Sequence, residues 1–265
     1  MGMRLRFSRK QLCIPYAVFL ICFVIAPLLV VLYYAFTNGQ GKFTLDNFLG
    51  FFTSENTIGT LCYSLAVALT TTMTCLVLAY PVAYILARSK MKKKAVLLLL
   101  FIVPMWINFT LRIAALKEVL TVIEGNLAYY PFMNTVIGMT YDFLPFMILP
   151  IYNALEKLDS SLLEASRDLG ANEVETFTKV TLPLSVPGII SGITMVFLPA
   201  MTNYVVLDML YNSTYIMGSL IGSYFHAYDW NSGSMIAIIL LIIIFIVTWL
   251  TNGFEDDNEN RGAVL

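Results

Sequence analysis

Two carboxylates stand inside otherwise apolar runs of this 265-residue sequence, and they are the side chains best suited to chemistry. Asp142 lies near the middle of the run 131–151, beside Tyr141, and Asp208 lies toward the end of the run 187–210, beyond Asn203 and Tyr204. An ionised group within a membrane is costly, so its presence is a functional hypothesis by default. A carboxylate and an aromatic face both attract an ammonium group, one through charge and the other through its ring quadrupole. The two acids with Tyr141, Asn203 and Tyr204 can therefore line a weak route for an organic cation. The competing reading is structural, with either acid balancing Arg112 near the end of the run 95–115. At a rise of about 1.5 Å per residue, Asp142 sits roughly 10 to 16 Å below the outer boundary and Arg112 only about 5 Å, so a direct pair needs tilt or water. The sequence is compatible with both readings.

A second constellation is polar and separates two apolar runs. It comprises Glu164, Ala165, Ser166, Arg167, Asp168, Leu169 and Gly170, followed by Val180, Thr181, Leu182 and Pro183. Asp159 is placed to cap a short helix, and Gly170 can take the left-handed conformation that stops it. Asn172 caps a second helix, with Glu175 three residues later as the partner of a capping box, and Pro183 and Pro187 punctuate its far end. The pattern predicts a rigid helix-turn-helix over about 156–186 that stands out of the membrane and offers a docking surface.

Other chemistry lacks its residues. The sequence contains no G-x-x-x-x-G-K-[ST] run to cradle phosphates, so energy for any driven process must come from elsewhere. The lone His226 falls in an outer loop and reads as solvated or locally bonded. The Cys, His and acidic residues show no metal-type spacing, and the serines lack a plausible base. No catalysis and no cofactor are expected of this chain. Cys13, Cys22, Cys62 and Cys75 lie in or beside apolar segments, away from metal or disulfide patterns, and read as inert packing residues.

The elements that must position these residues are membrane helices. Mean hydropathy is +0.77, with 58% apolar and 12% charged residues, against roughly 25% charged in a soluble domain. Apolar runs at 14–36, 61–87, 95–115, 131–151, 187–210 and 234–251 predict six spans, since each needs about 20 residues. The first run follows Arg4, Arg6, Arg9 and Lys10, but it is too long for a signal peptide and lacks a small-residue cleavage site. A cytoplasmic N-terminus puts those four inside, together with Arg88, Lys90, Lys92, Lys93, Lys94, Lys157, Arg167, Lys179 and Arg261. Only Lys42, Arg112 and Lys117 fall outside, so the basic bias sets the orientation. The helix-turn-helix then faces the cytoplasm. The outer segments 37–60, 116–130 and 211–233 carry Tyr129, Tyr130, Tyr215, Tyr224 and Trp230, which suit interfacial anchoring. Residues 1–13 read as a cytoplasmic start and 14–251 as the membrane domain. The acidic tail 252–265 reads as solvated and disordered. A net charge of −1 points to no nucleic-acid partner.

The polar interval resembles the EAA loop of ABC-importer permeases, a Glu-Ala-Ala, three residues, Gly, nine residues, an Ile-like residue, any residue, then Leu-Pro. Glu164 through Gly170 and Val180 to Leu182-Pro183 match that spacing, with Ser166 replacing the third Ala and Val180 replacing Ile. Further stretches resemble the permeases of spermidine/putrescine importers. They are 103–108 with Leu111-Arg112, 144–147, 155–159, 187–192 and 198–201, and the likeness runs from about 44 to about 250. It implies an all-α, six-helix fold of the type I ABC-importer permease kind. It also implies ATPase coupling through Glu164, Ala165, Ser166, Asp168, Gly170, Leu182 and Pro183. Partners implied are a second, paralogous permease that completes the pathway, a dimer of ATP-binding subunits holding ATP and Mg, and an extracytoplasmic polyamine-binding protein, within bacterial plasma-membrane lipid. The chain shows no internal repeat that would supply a two-fold pathway alone. Asp142 departs from the polyamine permeases, which carry an apolar residue there. An importer for iron, sulfate or an amino-acid-like solute, and an ion-coupled secondary transporter, are the alternatives.

Overall fold

Helices form where apolar runs predict them, because a backbone surrounded by lipid must satisfy its own hydrogen bonds. The computed structural model describes residues 13–89, 91–210 and 216–262. Its first helices are α1 (Ile14–Ala35), α2 (Asp46–Thr53), α3 (Glu55–Arg88), α4 (Lys94–Trp106) and α5 (Phe109–Glu124). There follow α6 (Pro131–Lys157), α7 (Ser160–Asp168), α8 (Glu173–Thr202), α9 (Val205–Leu210), α10 (Met217–His226) and α11 (Trp230–Gly262). The basic residues before Cys13, Lys90, and residues 211–215 with Tyr215 lie outside the described residues. Among the described residues, the only β pairing is an isolated bridge between Thr37 and Phe43.

Among the described residues, five helices are long and apolar enough to cross a membrane, and a sixth crossing exists if α4 and α5 count as one broken span. The expected third span, 95–115, is bent by 98° at that break. Pro104 sits in a tight 3-10 turn over Val103–Trp106, and Asn108 then restarts the helix by accepting the Thr110 amide at 2.9 Å. The expected fifth span, 187–210, is also interrupted: α8 ends at Thr202, and Asn203 accepts the Val205 amide at 3.2 Å to start α9. Pro183 and Pro187 do not punctuate a helix end as the sequence suggested. α8 runs through both, with a π turn over Phe177–Thr181 just before Pro183. A proline ring clashes with the carbonyl four residues back, here Lys179 within the wider turn, and the extra width accommodates it. The acidic tail likewise continues α11 as helix to Gly262 instead of becoming disordered; no proline interrupts it.

The chain divides into two compact units, Met1–Ile58 with Leu220–Ile242, and Gly59–Ser219 with Ile243–Leu265. In the first, two asparagines close the C-terminal end of α1. Asn47 donates to the carbonyls of Ala35 and Thr37 at 3.1 and 2.9 Å, and Asn231 donates to those of Tyr34 and Thr37 at 3.0 and 2.6 Å. In the second, α6 is the central element. Met147, Ile148, Ile151 and Leu155 are fully buried, and α8 crosses α6 on Gly188 and Gly192. α9 packs Val206 and Leu210 into the space left by Gly138 of α6.

The α6–α8 crossing depends on the missing side chains. A Cβ on Gly188 would lie 2.5 Å from the Ala154 Cβ and 2.7 Å from the Pro150 carbonyl, both on rigid helix. Gly188→Leu should destabilise the protein by about 3 kcal/mol, read as a lower unfolding midpoint and a smaller monodisperse yield in detergent. Gly59→Ala, which meets nothing within 4 Å, should stay within about 1 kcal/mol of the parent.

Candidate functional site

The polar interval between α6 and the membrane portion of α8 is assembled from local rules. α6 ends at Leu158 in an extended conformation, and the Asp159 carboxylate caps α7 by accepting the Ser161 amide at 3.0 Å. That backbone hydrogen bond holds the carboxyl of Asp159 below its usual range. α7 closes as a Schellman motif. Gly170 adopts φ +84°, its amide donates to the Arg167 carbonyl at 2.9 Å, and the Ala171 amide donates to that of Ser166 at 3.1 Å. The capping box forms as the spacing predicts: the Asn172 side chain accepts the Glu175 amide at 2.9 Å and the Glu175 carboxylate accepts the Asn172 amide at 3.1 Å. Across the turn, Ser166 Oγ and Thr176 Oγ1 hydrogen-bond at 3.1 Å, and Arg167 pairs with Glu173 at 2.9 Å.

What this frame presents is apolar and uncovered. Leu169 is 89% exposed and Val174 70%, on a helix pair in which Thr176 is the only buried residue of α7 and of the first turn of α8. Glu164, Ala165, Asp168 and Gly170 are exposed, and Ser166 is half-buried in its bond to Thr176. Leu182 and Pro183 stand apart from that surface, beyond the π turn, where the Leu182 carbonyl accepts the Ser185 hydroxyl at 2.9 Å. The base of the loop is held from outside it. Lys94 pairs with Glu156 at 2.9 Å, and Arg88 of α3 donates to the Leu158 carbonyl at 3.5 Å.

The two membrane carboxylates have opposite surroundings. Asp142 forms a direct ion pair with Arg112, with side chains only 3% and 7% exposed. The straight-helix depth estimate that separated them fails because α5 turns away from α4 at the break and brings Arg112 to the face of α6. Asp142 is thus a neutralised carboxylate, and its neighbour Tyr141 is exposed. Asp208 is exposed and has no ion-pair partner among the described residues. It lies one turn beyond Tyr204, whose carbonyl accepts the Asp208 amide at 3.0 Å, and the cap Asn203 stands just before both. The break in the fifth span therefore gathers Asn203, Tyr204 and Asp208, while Asp142 is committed to Arg112.

Sequence reasoning missed a third group, Tyr80 and Tyr84 of α3 with Phe177 and Ser185 of α8. The signal was present as a tyrosine pair four residues apart on an apolar helix with Arg88 four further on, one side of a helix.

Residues 79–257 match the family described as binding-protein-dependent transport system inner membrane component. The chain is 36% identical over 255 residues to the spermidine/putrescine transport system permease protein PotB of Escherichia coli K12, covering 87% of this chain and 92% of that protein. The Haemophilus influenzae PotB is 36% identical over 253 residues, covering 87% and 88%. Among solved structures, a permease chain of a bacterial alginate ABC transporter in complex with a pentasaccharide-bound periplasmic protein superposes with a TM-score of 0.73 at 14% identity, over 92% of both chains. A chain of the inward-facing methionine transporter MetNI gives 0.59 at 19% identity, over 77% of this chain and 99% of that one. At those identities the likeness is one of fold.

The ion pair has a measurable signature. Arg112→Met or Asp142→Leu alone strands a buried charge and should cost about 3 to 5 kcal/mol. The double variant should recover most of that loss in thermal unfolding of the purified protein. A double variant no more stable than the worse single one would show that the two groups do not act as a pair.

Proposed function

From a chain that belongs to the family of binding-protein-dependent transport system inner membrane components, a multi-pass protein of the bacterial inner membrane, we propose a permease subunit of an ATP-driven importer of spermidine-like and putrescine-like polyamines. The observation that carries the cargo is 36% identity, over 87% of the chain, to permeases named for spermidine and putrescine transport. The chain is a transport component, not an enzyme, and ATP with its Mg belongs to partner subunits. The partners are a second permease, a pair of ATP-binding subunits and an extracytoplasmic binding protein.

Two surfaces divide the work. The α7–turn–α8 face docks the ATPase, with Glu164, Ala165, Asp168 and Gly170 in contact and Ser166 fixing the helix pair from beneath. An exposed apolar rim around a capped, pre-ordered turn supports this role, because such a surface binds without a large ordering cost. Leu182 and Pro183 act one step back, as the start of the membrane portion of α8. Lys157, Arg167 and Lys179 belong to this end and Lys94 pairs with Glu156 at its base, and the basic bias supports a cytoplasmic location.

The second surface is the interruption between α8 and α9. A polyamine is a flexible chain of ammonium groups, and a route for it must hold each group weakly enough to release it. Asp208 supplies one open carboxylate and Tyr204 an aromatic face beside it, a low-affinity pair of the right sign. Asp142 is compensated by Arg112 and contributes shape instead of net charge. Its presence where the polyamine permeases carry an apolar residue therefore does not argue for another cargo. Tyr141, exposed beside it, is open to contact with the second permease or the route.

Replacing Asp208 by Asn removes the charge and keeps the size. Uptake of radiolabelled spermidine should fall about tenfold, equivalent to roughly 1.4 kcal/mol, with normal recovery of the complex; full uptake would remove Asp208 from the route. Gly170→Val forces a β-branched residue to φ +84°, a strain on the order of 1 to 3 kcal/mol. Co-purification of the ATP-binding subunit and uptake should fall together. Uptake that survives deletion of every ATPase partner would instead indicate an ion-coupled transporter.

A further inference from the structure

Motion of a docked ATPase can reach the membrane helices through the two covalent arms of the docking loop, and neither arm is a regular helix where it leaves the loop. One arm passes through Leu158, in extended conformation between α6 and α7. The other passes through the π turn Phe177–Thr181 between the first turn of α8 and its membrane portion. Both are places where a helix bends most readily. A single neighbouring element touches both. Along one side of α3, Tyr80, Tyr84 and Arg88 recur every four residues.

Tyr80 and Tyr84 hold the Phe177 ring edge-on between them, with centroids 5.8 and 5.6 Å away and interplanar angles of 86° and 88°. These are favourable T-shaped contacts, and they fall on the first residue of the π turn. Tyr80 Oη also hydrogen-bonds Ser185 Oγ at 2.9 Å, and Ser185, fully buried, donates to the Leu182 carbonyl at 2.9 Å. α3 thus grips α8 on both sides of the turn. Arg88 reaches the other arm at the Leu158 carbonyl with a long 3.5 Å bond, and its Nε and Nη2 are buried without a hydrogen-bond partner among the described residues. The tyrosine contact is the tighter of the two. Pro81, between the tyrosines, gives α3 its own point of flexure.

We infer that the Tyr80–Phe177–Tyr84 clamp is the positioning element that passes displacement of the docking helices to α3, so that ATP hydrolysis on the partner is converted into movement of the transmembrane helices. Phe177 touches neither cargo nor nucleotide; it acts through α3. The inference rests on the ATPase-docking reading of α7, and the experiment separates the two.

The whole complex, captured through a tag on this chain and reconstituted into liposomes with its binding protein, is assayed for phosphate release and spermidine uptake. Phe177→Ala should leave recovery of the ATP-binding subunit and basal hydrolysis unchanged, while spermidine transported per ATP hydrolysed falls about tenfold. Tyr84→Leu, which keeps apolar volume but removes the ring edge, should act in the same direction. Phe177→Tyr should restore the wild-type ratio. An unchanged ratio in Phe177→Ala overturns the inference, as does a loss of assembled complex that accounts for the whole fall in uptake, since the clamp is then only a folding contact. If the wild-type chain recovers no ATP-binding subunit at all, it is the docking reading that fails.

Discussion

A helix interrupted in an apolar surrounding exposes amides and carbonyls that lipid cannot bond, and each unbonded group costs several kcal/mol. This chain meets the cost at one interruption after another with asparagine. Asn108 accepts the first free amide beyond the bend between α4 and α5, and Asn203 does so beyond the break that separates α8 from α9. Asn47 and Asn231 converge from different parts of the sequence on the last carbonyls of α1. Asn134 donates to the Leu127 carbonyl and to Glu124, tying the turn before α6 to its first residues. The side-chain amide is short, uncharged and able both to donate and to accept, so it can close either end of a helix without bringing a full charge into the bilayer. The irregular geometry that places Arg112 against Asp142, and Tyr204 beside Asp208, is affordable on those terms.

The charges follow the same logic. A buried pair such as Arg112–Asp142 contributes little net stability but makes either partner alone very costly, so it acts as a constraint on where the bent third span can lie. Once that pair is formed, Asp208 is left as the acid whose field reaches outward from the membrane-spanning region of the described residues. A permease for polycations needs attraction without retention. One open carboxylate beside an aromatic ring, with the other acid neutralised, is consistent with that requirement.

Legibility in the sequence followed the range of the interactions. The caps of the α7–α8 turn were readable almost to the residue: Asp159, Gly170, Asn172 and Glu175 do what their spacing requires, because capping is decided within five residues. The spans were readable from hydropathy, five as continuous helices and the sixth only if α4 and α5 count as one, and the family from the loop spacing. The bend at Asn108 was not, because the apolar run 95–115 continues through it and only the single Pro104 hinted at a break. That error propagated: with a straight third span, Arg112 and Asp142 lie at different depths, and a direct pair needs tilt or water. The one-sided row of Tyr80 and Tyr84 was visible, but its contact with Phe177 was not, since nothing local links residues nearly a hundred positions apart. The prolines in α8 misled because a proline signals a stop only if the preceding turn is regular, and here it is widened.

That widened turn also changes register. The Leu182 amide reaches back to the Phe177 carbonyl, five residues instead of four, which amounts to one residue inserted into an α-helix and turns everything beyond it by about 100°. The face that α8 shows before the turn and the face with which it packs on α6 are therefore set independently. Adding or removing a single residue at this point would leave both surfaces intact yet swing one against the other by about 100°, so the interval of fixed length between Gly170 and Leu182-Pro183 holds a single angle between the α7–α8 turn and the face packed on α6.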